Sequence, residues 1–214
     1  MKYLIINADD FGYSRIFNEK ILELIEKDFV SSTSVMVDWI DEKQKHQVQK
    51  LIELSKSHNV SIGLHVDFKN TNFDREIQRQ YDVFVKIFGF EPIHIDLHKI
   101  VYLHEGYPHI INFSKQKNIP CKNLGVEPFT KFMTKELIFD GTKKEFNEIE
   151  NWLSTLKDKE YYTIIFHPGK FDPDSKSSLN KERESDAENI IKINKLLSKY
   201  NIKLISYSDF AAHL

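Results

Sequence analysis

Short apolar runs alternate with amphipathic stretches along the whole chain. Residues 3–7 (YLIIN) read as a buried strand that runs into Ala8-Asp9-Asp10-Phe11-Gly12. Ser14 can cap the next helix, in which Phe17, Ile21, Leu24 and Ile25 recur at helical spacing. Residues 32–37 (SSTSVMV without its first Ser) are β-prone, and Val48, Leu51, Ile52 and Ser55 make a modest helical stripe. Residues 61–66 (SIGLHV) predict a third strand, and Ile77, Tyr81, Phe84, Val85 and Phe88 an amphipathic helix behind it. Residues 92–97 predict a fourth strand, 107–117 a helix, and 119–122 a short fifth strand. Thr142 with Glu145 three residues on predicts a capping box, opening a helix that buries Phe146, Ile149, Trp152, Leu153 and Leu156. Residues 162–166 (YTIIF) predict a sixth strand ending at His167-Pro168-Gly169. Ala187, Ile190, Ile191, Asn194 and Leu197 predict a long helix, and residues 203–207 (KLISY) the last strand. Seven strands alternating with helices imply a parallel sheet with right-handed crossovers. The expected class is α/β: a (β/α) barrel-like single domain over residues 1–214 with about seven parallel strands.

Composition narrows the function classes. With 30 Lys+Arg against 32 Asp+Glu the net charge is −2, which offers no footprint for nucleic acid or an anionic membrane. Hydrophobic residues make up 41% and charged residues 29%, ordinary for a globular protein, which argues against disorder. No run approaches the ~18–20 apolar residues of a membrane span, and the N-terminal run is too short for a secretory signal. Cys121 is the single cysteine, so an internal disulfide and a Cys-based zinc cluster are excluded. These features lead us to expect a soluble, cytoplasmic protein whose function lies in a local site.

The polar residues fall where such a site would be. Asp9 and Asp10 follow the first strand, His65 closes the third, His94, Asp96 and His98 line the fourth, and His167 ends the sixth. The carboxyl ends of parallel strands are where α/β folds place their sites. Residues 94, 96 and 98 alternate, so on a strand they share one face. Imidazoles and carboxylates converging there suit a divalent metal bound through nitrogen and oxygen. Adjacent Asp9 and Asp10 repel each other, and keeping both ionised needs a cation or strong donors. Tyr13 and Trp39 follow strand ends, where either could stack on a sugar, though Trp39 and Trp152 also fit core packing. His46, His58 and His213 read as solvated, and His104 and His109, near a helix start, as surface residues or residues behind the site.

The run Asn7-Ala8-Asp9-Asp10-Phe11-Gly12 resembles the N-terminal signature of the YdjC/ChbG-like carbohydrate deacetylases. Gly63-Leu64-His65, His94-Ile95-Asp96-Leu97-His98 and His167-Pro168-Gly169 resemble their later motifs, and Arg183-Glu184 and residues 202–209 their tail. The resemblance implies a (β/α) barrel-like hydrolase that removes acetyl groups from N-acetylated sugars such as chitooligosaccharides, using Mg²⁺ or a similar divalent ion (Zn²⁺, Mn²⁺ and Co²⁺ being compatible with the donors). By motif position, Asp10, His65 and His98 would bind the metal, Asp9 would be the general base and His167, protonated near its ordinary pKa of about 6.5, the general acid. His94 and Asp96 would lie behind the ligands or face substrate, with Lys122 and Tyr13 as further contacts. The family is often dimeric. The chain departs from it at Lys99, Ile100 and Tyr102, where further His residues are usual, and at Lys122, where an Arg is common. Two other readings keep the same residues. One is a metal-dependent hydrolase of another class, such as a phosphoesterase using Lys99, Lys122 or Lys170. The other is a sugar-binding relative without turnover.

Overall fold

In a computed structural model of the chain, residues 1–99, 105–122 and 138–212 are described. The first strand, β1 (Lys2–Phe11), organises everything else, because every residue from Leu4 to Phe11 is buried. Leu4, Ile6 and Ala8 face the large core under the helices, whereas Ile5 joins a second, smaller cluster with Ile205, Tyr207 and Phe210. Alternation therefore sends Asn7 and Asp9 to the same side as Ile5.

Along the chain come α1 (Arg15–Glu26), β2 (Ser32–Val35), α2 (Lys45–Ser57), β3 (Ser61–Val66), α3 (Phe73–Phe88), β4 (Ile95–Leu97) and α4 (Tyr107–Lys117). They are followed by β5 (Phe139–Asp140), α5 (Phe146–Thr155), β6 (Tyr161–Phe166), α6 (Arg183–Leu196), β7 (Ile202–Leu204) and α7 (Tyr207–Ala211). Every strand pair is parallel, in the order β4-β3-β2-β1-β6-β5. β6 takes one edge of β1 from Tyr3 to Ala8, so β7, paired to Lys2–Leu4, shares with β2 the opposite edge. The sheet is accordingly curled rather than closed in sequential order. Helices cover its convex face, as parallel strands require.

Local chemistry explains the element boundaries. Ser14 Oγ accepts from Ile16 N at 3.1 Å and caps α1. α3 buries Ile77, Tyr81, Phe84 and Phe88, each worth about 1.5–3 kcal/mol, and stops at Gly89, whose φ of 78° a residue with a side chain would resist. Three expectations need correction. Residues 119–122 form only an isolated bridge, Cys121 to Ile95, and the fifth strand is Phe139–Asp140. The box that opens α5 is Glu145 with Glu148, because Thr142 is engaged elsewhere. The last strand ends at Leu204, since Ser206 and Asp209 form a capping box that turns the chain into α7. Ile100, Tyr102, His104 and His213 lie outside the described residues. Among the described residues, no helix is long and apolar enough to cross a membrane.

Candidate active site

Asp9 and Asp10 reach the same place because β1 is bulged. Ala8 pairs with Thr33 and Phe11 with Val35, so three steps on β1 match two on β2. The extra residue is Asp10, with φ of 70°, a left-handed conformation that Asp tolerates better than most residues. Strict alternation would send the two carboxylates to opposite faces. The bulge turns both toward the concave mouth.

Beneath them the inner face of the sheet is a polar column. His94, completely buried, lies deepest, stacked on Tyr207 with ring centroids 4.2 Å apart and its Nε2 3.1 Å from Ser34 Oγ. Gly63 makes this possible: a Cβ there would fall inside the His94 ring. Asp96 comes next, accepting from Ser34 Oγ at 2.8 Å and pairing with His65 Nδ1 at 2.5 Å. Lys122, only 1% exposed, places its ammonium between Asp96 and Asp9, 2.7 Å from Asp9 Oδ1, which Asn7 Nδ2 also reaches. Burial alone would raise the Asp9 pKa. Lys122, with His65 and His167, overcomes it and holds the carboxyl at about 2.

At the mouth, three donors face one another. Asp10 Oδ1 is 3.6 Å from His65 Nε2 and 3.4 Å from His98 Nδ1, and those two nitrogens are 3.2 Å apart. Donors bound about 2.0–2.2 Å from one divalent ion stand roughly 3.0–3.5 Å from each other. Asp10 Oδ1 is buried and accepts no hydrogen bond. Such an atom ordinarily costs stability unless something binds it. His65 is fixed by Asp96 on its other nitrogen, the carboxylate–imidazole arrangement that orients a metal-binding ring. Burial, with Lys122 adding to it, depresses the His65 pKa and keeps the ring neutral, as a ligand must be. Asp9, Asp10 and Asp96 face two buried cations, Lys122 and Arg183, so one negative charge is left for a bound cation. The residues fit a divalent metal held by two nitrogens and one oxygen. A second group, Asp9, His65 and Asp96, also has the spacing for a metal, but Lys122 already holds both of its carboxylates.

Arg183 is the residue that sequence reasoning missed. It was visible only as part of the tail resemblance, yet its guanidinium is fully buried and donates to Asp10 Oδ2 at 2.6 Å and to Ser177 Oγ at 3.1 Å. Burial would raise the Asp10 pKa, but His167, His98 and Arg183 together hold it well below the ordinary value. The same guanidinium lies 3.8 Å over Phe17, which continues into Tyr13 (6.0 Å) and Trp39 (4.4 Å from Tyr13). Trp39 was also open to a core reading; it is 39% exposed. Beside it runs a groove of about 740 Å³ lined by Tyr13, Ser14, Trp39, Asp172 and Lys176 among others.

His167 Nε2 stands 4.0 Å from Asp9 Oδ2 across the mouth, and its Nδ1 is 2.9 Å from Thr142 Oγ1. Its backbone N–H donates to the buried Asp186 at 2.9 Å. Burial pushes the His167 ring below its ordinary pKa, against the pull of Asp10 and Asp9, so the protein without metal holds it neutral near pH 7. The expectation of a ring protonated near 6.5 is corrected accordingly. Lys122 and His94 are buried behind the ligands, one of the two positions expected of them. Tyr13, partly exposed, lines the groove beside Trp39.

The chain resembles known proteins along its length. The family described as YdjC-like protein matches residues 3–72. A carbohydrate deacetylase of Clostridium beijerinckii is 26% identical, covering 96% of this chain and 99% of its own. A chitooligosaccharide deacetylase of Yersinia enterocolitica is 30% identical over 56% of this chain and 59% of its own. Among solved structures, a protein of Enterococcus faecalis V583, provisionally described as a cellobiose-phosphate cleavage protein, superposes with a TM-score of 0.74 at 17% identity, covering 97% of this chain and 98% of its own.

Proposed function

We propose that the chain is a YdjC-like, metal-dependent carbohydrate deacetylase that hydrolyses the acetamide of an N-acetylated sugar, a reading its similarity to curated carbohydrate deacetylases supports. The observation that carries the reading is the orphaned Asp10 Oδ1, set within 3.6 Å of two imidazole nitrogens. Asp10, His65 and His98 would hold the ion. When bound, it would polarise the acetamide carbonyl and make water a nucleophile near neutral pH.

The chain's own residues supply the rest. Asp9, ionised and oriented by Lys122 and Asn7, is the base that takes the water's proton on Oδ2, the oxygen that neither partner occupies. His167 is the acid that delivers a proton to the departing amine. Since its ring starts neutral, it must acquire that proton during the cycle, and Asp9 Oδ2 is the neighbouring carboxylate. Arg183 and Asp96 orient two of the ligands from behind. The resemblance implies Mg²⁺, whereas two imidazoles with one carboxylate suit a first-row transition ion, so the metal is proposed only as a divalent cation. We take residues 1–214 as one catalytic domain of a cytoplasmic enzyme, with an N-acetylated oligosaccharide as substrate and a homodimer as its assembly. A phosphoesterase is disfavoured because Lys122 is committed to two carboxylates.

The test is acetate release from di-N-acetylchitobiose after stripping the protein and reloading it with Mg²⁺, Mn²⁺, Co²⁺ or Zn²⁺ in turn. Activity should appear with at least one ion, and Asp9→Asn should lower kcat by about 100-fold or more while metal binding persists. His65→Ala should abolish metal binding by calorimetry. If His65→Ala binds the ion as wild type does, the assignment fails.

A further inference from the structure

The rim beside the metal centre carries a second feature that catalysis does not use. Immediately after β3, Asp67 is clamped by Gln80, whose side-chain amide bonds both its N–H (3.0 Å) and its carbonyl (2.9 Å). The His98 N–H donates to Val66 O at 2.8 Å, so this loop is tied directly to a proposed metal ligand. The Asp67 side chain is nearly buried, and its Oδ2 accepts from Trp39 Nε1 at 3.0 Å. The same oxygen binds the Lys69 ammonium, which also sits 5.0 Å over the Trp39 ring centroid. Tyr13 is stacked 4.4 Å from that ring, which leaves no space for an ammonium between them, so Lys69 covers the opposite face. Lys69 is itself 46% exposed, a surface side chain reaching into a fixed corner.

A buried carboxylate beside an aromatic face is the recognition chemistry of a cation, and here the chain's own ammonium reports that preference. We propose that Asp67 and the outer face of Trp39 form an ammonium subsite beside the metal centre, filled by Lys69 in the free protein and taken by the free amine of a partly deacetylated sugar chain. The inference rests on the deacetylase reading, because removal of an acetyl group is what creates such an amine. Lys69 then acts as an internal competitor: a neutral acetamido sugar cannot displace it from the carboxylate, whereas a protonated amino sugar can. The enzyme would accordingly favour chains that already carry one free amine.

The experiment is calorimetric titration of the metal-loaded protein, with Asp9→Asn present in the wild-type reference and in every variant so that the acetylated ligand is not turned over, using the glucosamine disaccharide and its di-N-acetylated counterpart in mildly acidic buffer. Wild type should bind the amine form at least about threefold more tightly. Lys69→Met, at an exposed position, should tighten the amine form about threefold to tenfold and leave the acetylated form unchanged. Asp67→Asn keeps an acceptor for Trp39 Nε1–H and should erase the preference. Equal affinities in wild type, a preference that survives Asp67→Asn, or weaker amine binding in Lys69→Met would each overturn the subsite. Because calorimetry needs no turnover, loss of the preference with intact acetate release sinks the subsite alone. A preserved preference with no acetate under any ion sinks the deacetylase reading instead.

Discussion

Lys122 is the clearest case of one side chain holding a site together. Its ammonium is fully enclosed between Asp9 and Asp96. Burial lowers its pKa while Asp9 opposes that shift, so its charge depends on the carboxylates as theirs does on it. Removing one partner of a buried pair strands the other charge, at a cost of about 3–5 kcal/mol. Lys122→Met should therefore lower the denaturant midpoint by that equivalent and raise the Asp9 pKa, which pH-dependent NMR of the Asp9 carboxyl would read. A midpoint within about 0.5 kcal/mol of wild type would mean that the pair contributes little. Lys122→Arg keeps the charge but must fit a planar guanidinium where a compact ammonium now lies, so it should recover only part of the loss.

At the scale of elements, the site depends on two departures from regular strand geometry. The β1 bulge at Asp10 sets both carboxylates on one side. The bare backbone of Gly63 on β3 lets the His94 ring lie against it, and His94 in turn meets Ser34, the hydroxyl shared with Asp96 and Asn7. Gly63→Ala should displace His94 and loosen that chain of contacts. Overpacking of this kind costs about 1–3 kcal/mol, so the melting temperature should fall by several degrees, with metal affinity falling too. A variant that melts as wild type does would show that β3 and β4 can separate without loss. The elements themselves were legible wherever a single periodicity ruled: α3 stands where its apolar stripe places it. The fifth strand was not legible, because two residues of a strand carry no pattern, and Cys121 pairs with Ile95 through one bridge only.

For the molecule as a whole, the pH dependence of stability combines groups of opposite sign. Asp9, depressed to about 2, contributes stability that is complete above its unfolded pKa of about 3.9 and is lost as the pH falls toward 2. Asp186 behaves in the reverse sense. Burial raises it to about 7 despite backbone N–H donors from His167 and Lys143, so the folded protein holds a proton there that the unfolded chain has released. Its contribution is present below about pH 4 and is lost as the pH climbs to about 7, on the order of 4 kcal/mol across that window. Asp186→Asn should flatten the dependence, raising the melting temperature at pH 7 relative to pH 5. An unchanged pH profile would refute the assignment.

By itself, the order of residues determined the α/β class, the parallel strands and the rim on which Asp9, Asp10, His65, His98 and His167 stand, because hydrophobic period and strand-end position are local properties. It could not determine which nitrogen or oxygen faces which, since that depends on distances between strands far apart in the chain. Only the folded sheet decided that Lys122 neutralises carboxylates rather than meeting substrate, that burial leaves His167 neutral, that Thr142 serves His167 instead of capping α5, and that Arg183, 173 residues from Asp10, closes on its carboxylate. Contacts of that span are set by how the sheet curls and what its interior excludes, and neither is written in any one stretch of the chain.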